Sequence, residues 1–326
     1  MSTLFTGGDI HAGHQATGFY KAETAQLVSM QAVADPALQT GVTTPMGLMT
    51  FPGSQITNNF QAIETIGSSL DVGQQPGRQE VGLNTRIQIA NGEFLLNALR
   101  DRTKLSTAGY NMGLPWFCAE CGIGSDFGAS AWAYQYLDCL IDSLRLDYRE
   151  GQPVSADVQM LAMCRLAQAS PGAMSVANAS VLMWTHLSWV VGTIDYRPIL
   201  SECGVQINNN VQRTGIRNLM YSAGTTELAI SRTCYKMVPL LEKVTVNFGL
   251  YDRIPSALDT VSDWGTLTMR AEVPGTGAGR NFFQVAISHN FLNRTNRQQT
   301  PANQIMRWTG DNAAYGIAIT AGATSS

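Results

Sequence analysis

Charge is what this sequence has least of. Only 14% of its 326 residues are Asp, Glu, Lys or Arg, against about a quarter in an ordinary soluble chain. Isolated proteins use surface charge to suppress association, so a surface this neutral suits burial against other subunits. Lysine is scarcest, with four against seventeen arginines. Guanidinium forks lose less per hydrogen bond when desolvated, and the bias therefore fits interfaces. No run of basic residues occurs and the net charge is −3, which argues against a protein that grips phosphate backbones. Long apolar runs are missing as well: nothing approaches the roughly 18 to 20 residues that span a bilayer. The opening MSTLFTGGDIHAGH lacks the basic start and apolar stretch of a signal peptide. The chain is expected to be neither membrane-embedded nor secreted. Six cysteines, Cys118, Cys121, Cys139, Cys164, Cys203 and Cys234, are too sparse for a disulfide framework, and reduced thiols are expected.

Catalytic signatures are equally scarce. GxSxG, HExxH, paired zinc knuckles and a dinucleotide fingerprint are all absent from the sequence. His11 and His14 have the spacing of two helical zinc ligands but lie in a Gly-flanked stretch without a matching pair, so they read as solvated. Cys118 and Cys121 have CxxC spacing without a second CxxC or a βαβ setting, and read as loop thiols. Residues 274–280, PGTGAGR, lack the Lys-Ser/Thr of a P-loop and read as an inter-strand loop. His186 lies in an apolar run and His289 follows a strand; a triad assembled from distant residues is recognised by geometry and stays open at this level. Trp184 and Trp189 read as core aromatics, with interface anchoring as the alternative. No catalytic, cofactor or metal residue is assigned, and the chain is expected not to be an enzyme.

What the sequence does contain is period-two alternation. Leu144, Leu146 and Tyr148 alternate with Ser143, Arg145 and Asp147; after the turn residues 150–153, Val154, Ala156, Val158 and Met160 alternate with Ser155, Asp157 and Gln159. This predicts an antiparallel hairpin. Residues 92–100 carry Phe94, Leu95, Ala98 and Leu99 at helical spacing behind a capping Asn91, predicting one short amphipathic helix. The second half offers strands over 181–194 and 204–209, at Val244 to Leu250, at Leu267 to Val273 and at Phe283 to Ile287, with a helical turn near 256–262. No sequence repeat between the halves is recognised; the likeness is in the order of signals. The expected fold is mainly β: two tandem β-sandwich or barrel units, each with about one short helix. The expected division is residues 1–60 as an N-terminal arm with irregular strands belonging to the first domain, 61–167 as the first domain, 168–180 as a connection and 181–326 as the second.

Residues 139–148, CLIDSLRLDY, followed by 150–156, EGQPVSA, resemble the signature of tail tube proteins of long-tailed, siphovirus-like phages, in which a V-x-S-L-x-L strand leads through x-G-x-P-V into the next. Residues 78–90 and 92–99 resemble the strand and single helix before it, and residues 241–248, LEKVTVNF, resemble the matching strand of two-tube-domain members. The resemblance implies tube domains assembled into stacked rings, six domains to a ring. A two-domain chain closes such a ring as a homotrimer of pseudo-six-fold symmetry, with a hexamer as the alternative. It also implies a virion location in the phage tail, a hollow tube enclosing the tape measure protein, contacts to tail terminator and distal tail proteins, and DNA passing through a neutral or acidic lumen without specific binding. The first 50 or so residues would reach an adjacent ring. Neither a membrane nor a cofactor enters this function. A capsid or decoration protein, or the tube of a contractile injection system, shares the composition and stays open.

Overall fold

A computed structural model describes residues 16–23, 38–49, 53–58, 61–63, 73–75, 79–90, 92–100, 113–123, 132–168, 181–215, 235–251, 254–274, 280–297 and 307–323. His11, His14, Asn91, Cys234, the connection after residue 168 and residues 275–279 of the Gly-rich loop lie outside them. The fold is mainly β and antiparallel. In the first half come β1 (Ala16–Ala22), β2 (Thr44–Pro45), β3 (Leu48–Met49), β4 (Gly53–Asn58), the ribbon β5 (Gln61–Ile63) and β6 (Gly73–Gln75), then β7 (Gln79–Gln88), β8 (Phe117–Ile123), β9 (Trp132–Arg149), β10 (Ser155–Ala162) and β11 (Cys164–Gln168). In the second half come β12 (Leu187–Val191), β13 (Ile194–Asp195), β14 (Leu200–Asn208), the ribbon β15 (Val211–Gly215) and β16 (Tyr235–Pro239), β17 (Lys243–Tyr251), the helical turn α1 (Ser256–Asp259), β18 (Leu267–Glu272), β19 (Asn281–Arg297) and β20 (Arg307–Ala323).

The expected hairpin is β9 and β10, with Ser155 opposite Asp147 and Val158 opposite Leu144. Leu144, Leu146, Tyr148, Ala156 and Met160 are fully buried. Strand β9 extends well before the alternating stretch, because residues 133 and 135–141 are buried whichever way they point and leave no period to read. Its first part pairs with β8 and β11, its last part with β10 and β14. Between them Asp138 adopts φ 51 and the ladder shifts register, so a single strand turns from one layer into the other.

The helix expected at residues 92–100 is instead a 3-10 turn, Glu93–Ala98, entered through Gly92 at φ 73. A Cβ on Gly92 would overlap the Phe283 ring, which fixes glycine there and brings the turn against the second half. Phe94, Leu95 and Ala98 are nevertheless buried, as their spacing predicted. Within the run 181–194 the strands are Leu187–Val191 and the first residue of β13, preceded by a 3-10 turn at Trp184–His186. The turn near residue 256 is α1. Part of the polar N-terminal segment is in the sheet: β1 pairs with β8 along its whole length, and Phe19, Val42 and Met46 are buried.

The two halves repeat one plan. Each presents four adjacent strands in the order first, second, fourth, third: β4-β7-β10-β9, then β14-β17-β20-β19. The registers coincide rung for rung. Gly53 opposite Asn84 matches Gly204 opposite Asn247; Ala162 opposite Val81 matches Ala314 opposite Val244. The bulge between Ser143 and Ile141 on β9 recurs between Arg294 and Leu292 on β19. In the outer layer, Trp132 opposite Ile123 matches Phe283 opposite Ala271, and β1 on β8 matches β12 on β18. The turn Glu93–Ala98 follows β7 as α1 follows β17. Strand β20 corresponds to β10 and β11 together, and β14 to β3 and β4.

The two four-strand blocks join where β14 pairs with β9, from Glu202 opposite Arg149 to Asn208 opposite Ser143. Asn209 fastens the end of this junction. Its side-chain amide donates to the carbonyls of Ala98 and Ile141, both at 3.0 Å, and its backbone N–H to Asp142 at 2.8 Å. One apolar core runs through both blocks, from Leu83, Phe94 and Phe117 to Trp189, Phe248, Trp264 and Phe283. Asn209 is fully buried, so Asn209→Ala leaves two carbonyls unpaired, and a loss of about 3 kcal/mol in urea unfolding of the whole chain is expected. A loss below about 0.5 kcal/mol would show that the junction does not depend on this residue.

Candidate functional site

The apolar face of the eight adjacent strands looks into the core, and the other face is polar. Its side chains alternate with core residues along every strand: Asn84, Arg86 and Gln88 on β7; Asp157 and Gln159 on β10; Arg145, Asp147 and Arg149 on β9; Glu202 and Gln206 on β14; Thr245 and Asn247 on β17; Thr309 and Asp311 on β20; Arg294 and Asn296 on β19. Cross-strand neighbours are aligned, so the charges form rows. One row runs Asp147, Gly204, Asn247, Asp311, Arg294 across five strands. A cleft of 260 Å³ opens at its centre, lined by Arg145, Asp147, Glu202, Asn247, Arg294 and Asp311 among others.

Opposite charges offset one another locally. Arg145 Nε lies 3.2 Å from Asp147 Oδ1, Arg294 Nε 3.2 Å from Asp311 Oδ1, and Arg86 Nε 3.9 Å from Asp157 Oδ1. Arg86 also donates to Ser155 Oγ at 2.9 Å, and Asn293 to Asp311 Oδ2 at 2.7 Å. Exposed pairs of this kind add little stability. Their effect is on the field: a surface of interleaved Arg and Asp presents no extended potential of either sign to a polyanion.

Among the described residues, none of the sequence candidates forms a centre with another. Cys118 and Cys121 are both buried in β8, but the first faces the smaller core with Phe19 and Leu137 and the second the main core, as a three-residue step along a strand requires. Burial drives the Cys118 thiol well above its usual range and pushes Cys121 up to about 12, helped in both by Glu120. Thiols so placed are poor nucleophiles. His186 Nδ1 accepts the Met183 N–H at 3.1 Å within its own turn. His289 is exposed, stacks on Phe291 and lies 3.4 Å from Asp263. The Asp263 carboxyl is held below its ordinary range, chiefly by the Gly265 N–H and secondarily by His289. Trp189 is fully buried among Tyr196, Phe248 and Trp264, and Trp184 lies in the same core. Among the described residues no three His, Cys, Asp or Glu side chains come together as a metal-binding group, and no helix is long and apolar enough to cross a membrane.

The sequence matches no protein-family model and no curated protein. The polar face was missed in the sequence because Asn, Gln and Thr between apolar residues mark a solvated strand without saying which strands share a face. One signal of the repeat was present: residues 53–58, GSQITN, and 204–209, GVQINN, agree at Gly, Gln, Ile and the final Asn.

At the end of β1 the Glu23 carboxyl lies beside Asp138. Both carboxyl oxygens of Glu23 are out of contact with solvent. Burial first, and then Asp138 beside it, raise the Glu23 carboxyl to about 9. A raised carboxyl favours the fold most below the unfolded value of about 4.3, and that contribution is lost as pH climbs through the folded value. Stability in urea is therefore expected to fall between pH 5 and pH 9, and Glu23→Gln to flatten the dependence. An unchanged slope in the variant would assign the effect to another group.

Proposed function

We propose that this protein is the tail tube subunit of a long-tailed phage, closing as three copies into rings that stack around a tape measure protein and later conduct DNA. The observation that carries the reading is the repeated four-strand block. Two blocks lie side by side in the same sense in one chain, leaving among the described residues an open strand edge at each end, an arrangement that generates rings when the rotation between copies closes. The likeness of residues 139–156 to tube proteins supplies the identity of the ring.

Size supports three copies. Three eight-strand runs make a twenty-four-strand barrel, about 48 Å between opposite backbones at ~4.8 Å strand spacing and ~40° tilt. Side chains narrow this by roughly 10 Å, leaving a channel of about 38 Å, wide enough to admit duplex DNA. Six copies would double the width. The polar face faces that channel, because the opposite face is already covered by the outer layer. Its paired charges let DNA slide, and the contacts to terminator and distal tail proteins fall at the two ends of the stack.

Negative-stain electron microscopy of the concentrated full-length protein tests the reading: stacked rings of uniform diameter with a central hole are expected, and closed shells or compact particles in every preparation would overturn it. A second measurement addresses the channel. The triple substitution Asn84→Lys, Gln159→Lys and Asn247→Lys is expected to leave tubes intact while slowing DNA release several-fold, with the delay relieved by added salt. Unchanged release would place this face away from the DNA path.

A further inference from the structure

We infer that the edge strand β4 of one copy pairs antiparallel with β19 of the next, in the register that β14 and β9 use within the chain. The inference rests on strand geometry alone and holds for any closed ring, whether or not the ring belongs to a tail. Strand β4 pairs only with β7, and beyond the Phe291 bridge to Asp263 the end of β19 pairs only with β20, among the described residues. Neither edge carries the proline or lysine that natural proteins use to block strand addition. Because the run has eight alternating strands, its two edges point in opposite directions, and a head-to-tail contact between copies is antiparallel without any change of pattern.

The internal junction shows what such a contact needs, and the outer edges already have it. Gly204 is required inside the chain, since a Cβ there would stand 2.9 Å from the Leu146 carbonyl of the neighbouring strand. Its counterpart Gly53 faces nothing closer than 3.9 Å within its own chain, yet the glycine is there. Ile207 is fully buried by the junction, whereas its counterpart Ile56 is only half-buried. On the receiving side, Ala98 and Ile141 are fully buried under Asn209, while their counterparts Val261, at 43% exposure, and Leu292, half-buried, await a cover. The shared register sets Gln55 opposite Asn296, Ile56 opposite Thr295 and Thr57 opposite Arg294.

Disulfide trapping in the full-length protein tests this. The double variant Gln55→Cys with Asn296→Cys, mildly oxidised at high concentration, is expected to give a covalent ladder on non-reducing gels that ends in a closed species, while each single variant gives none. As a control, Gln55→Cys with Arg294→Cys displaces the pair by two residues and is expected to link at least tenfold less. A second variant, Gly53→Val, is expected to stop oligomer formation with the monomer's thermal midpoint unchanged. Preferential linkage of the displaced pair, absence of linkage in both, a protein that stays monomeric when concentrated, or assembly unaffected by Gly53→Val would each overturn the inference. Specific linkage in rings that never stack would uphold it and count against the tail tube alone.

Discussion

Seven rungs between β14 and β9, closed at one end by Asn209, hold the two halves of this chain in one sheet. Much else follows from that ladder. It sets the two blocks side by side rather than face to face, so the polar side of both becomes one continuous surface and the apolar side one continuous core. It also leaves, among the described residues, the outer side of β4 and of the end of β19 without a strand partner. A single sheet this wide with open edges is an association hazard for a free monomer. A chain with few charges and almost no lysine has done little to avoid it, which agrees with the self-association we propose.

The architecture was legible in proportion to how far each strand is buried on one face only. Residues 143–160 and 244–250 alternate cleanly and were placed correctly. The first part of β9 is buried on both faces, and β20, with its run of Ala, Gly and Thr, offers little hydrophobic contrast; both strands were missed or cut short. The helix at residues 92–100 was legible in its buried residues but not in its geometry, because the contact that enforces a left-handed Gly92 comes from Phe283, nearly two hundred residues away. The repeat survives in pairing registers, a shared bulge and two glycines at strand junctions, while the side chains around them have diverged. Register needs an apolar pattern on one face and suitable turns, not particular side chains, and so two blocks can share a plan with little sequence in common.

The polar face explains why no residue stood out as catalytic. Its charges are distributed: Arg145 pairs with Asp147 along β9, Arg294 with Asp311 and Arg86 with Asp157 across to the next strand, and among the described residues no group on it is buried, strained and chemically poised together. Glu23 and the thiols of Cys118 and Cys121, whose proton affinities are raised, lie in the core and at its margin. The tube we propose calls for such a surface, with hydrogen-bonding groups throughout and opposite charges interleaved.

The central claim is that the chain carries two equivalent blocks and that copies join as the blocks do. Native mass spectrometry of the smallest closed assembly tests it most directly. Three chains per ring is the predicted result, since three copies place six blocks around the axis; a ring of six chains, or a closed dimer, would contradict it.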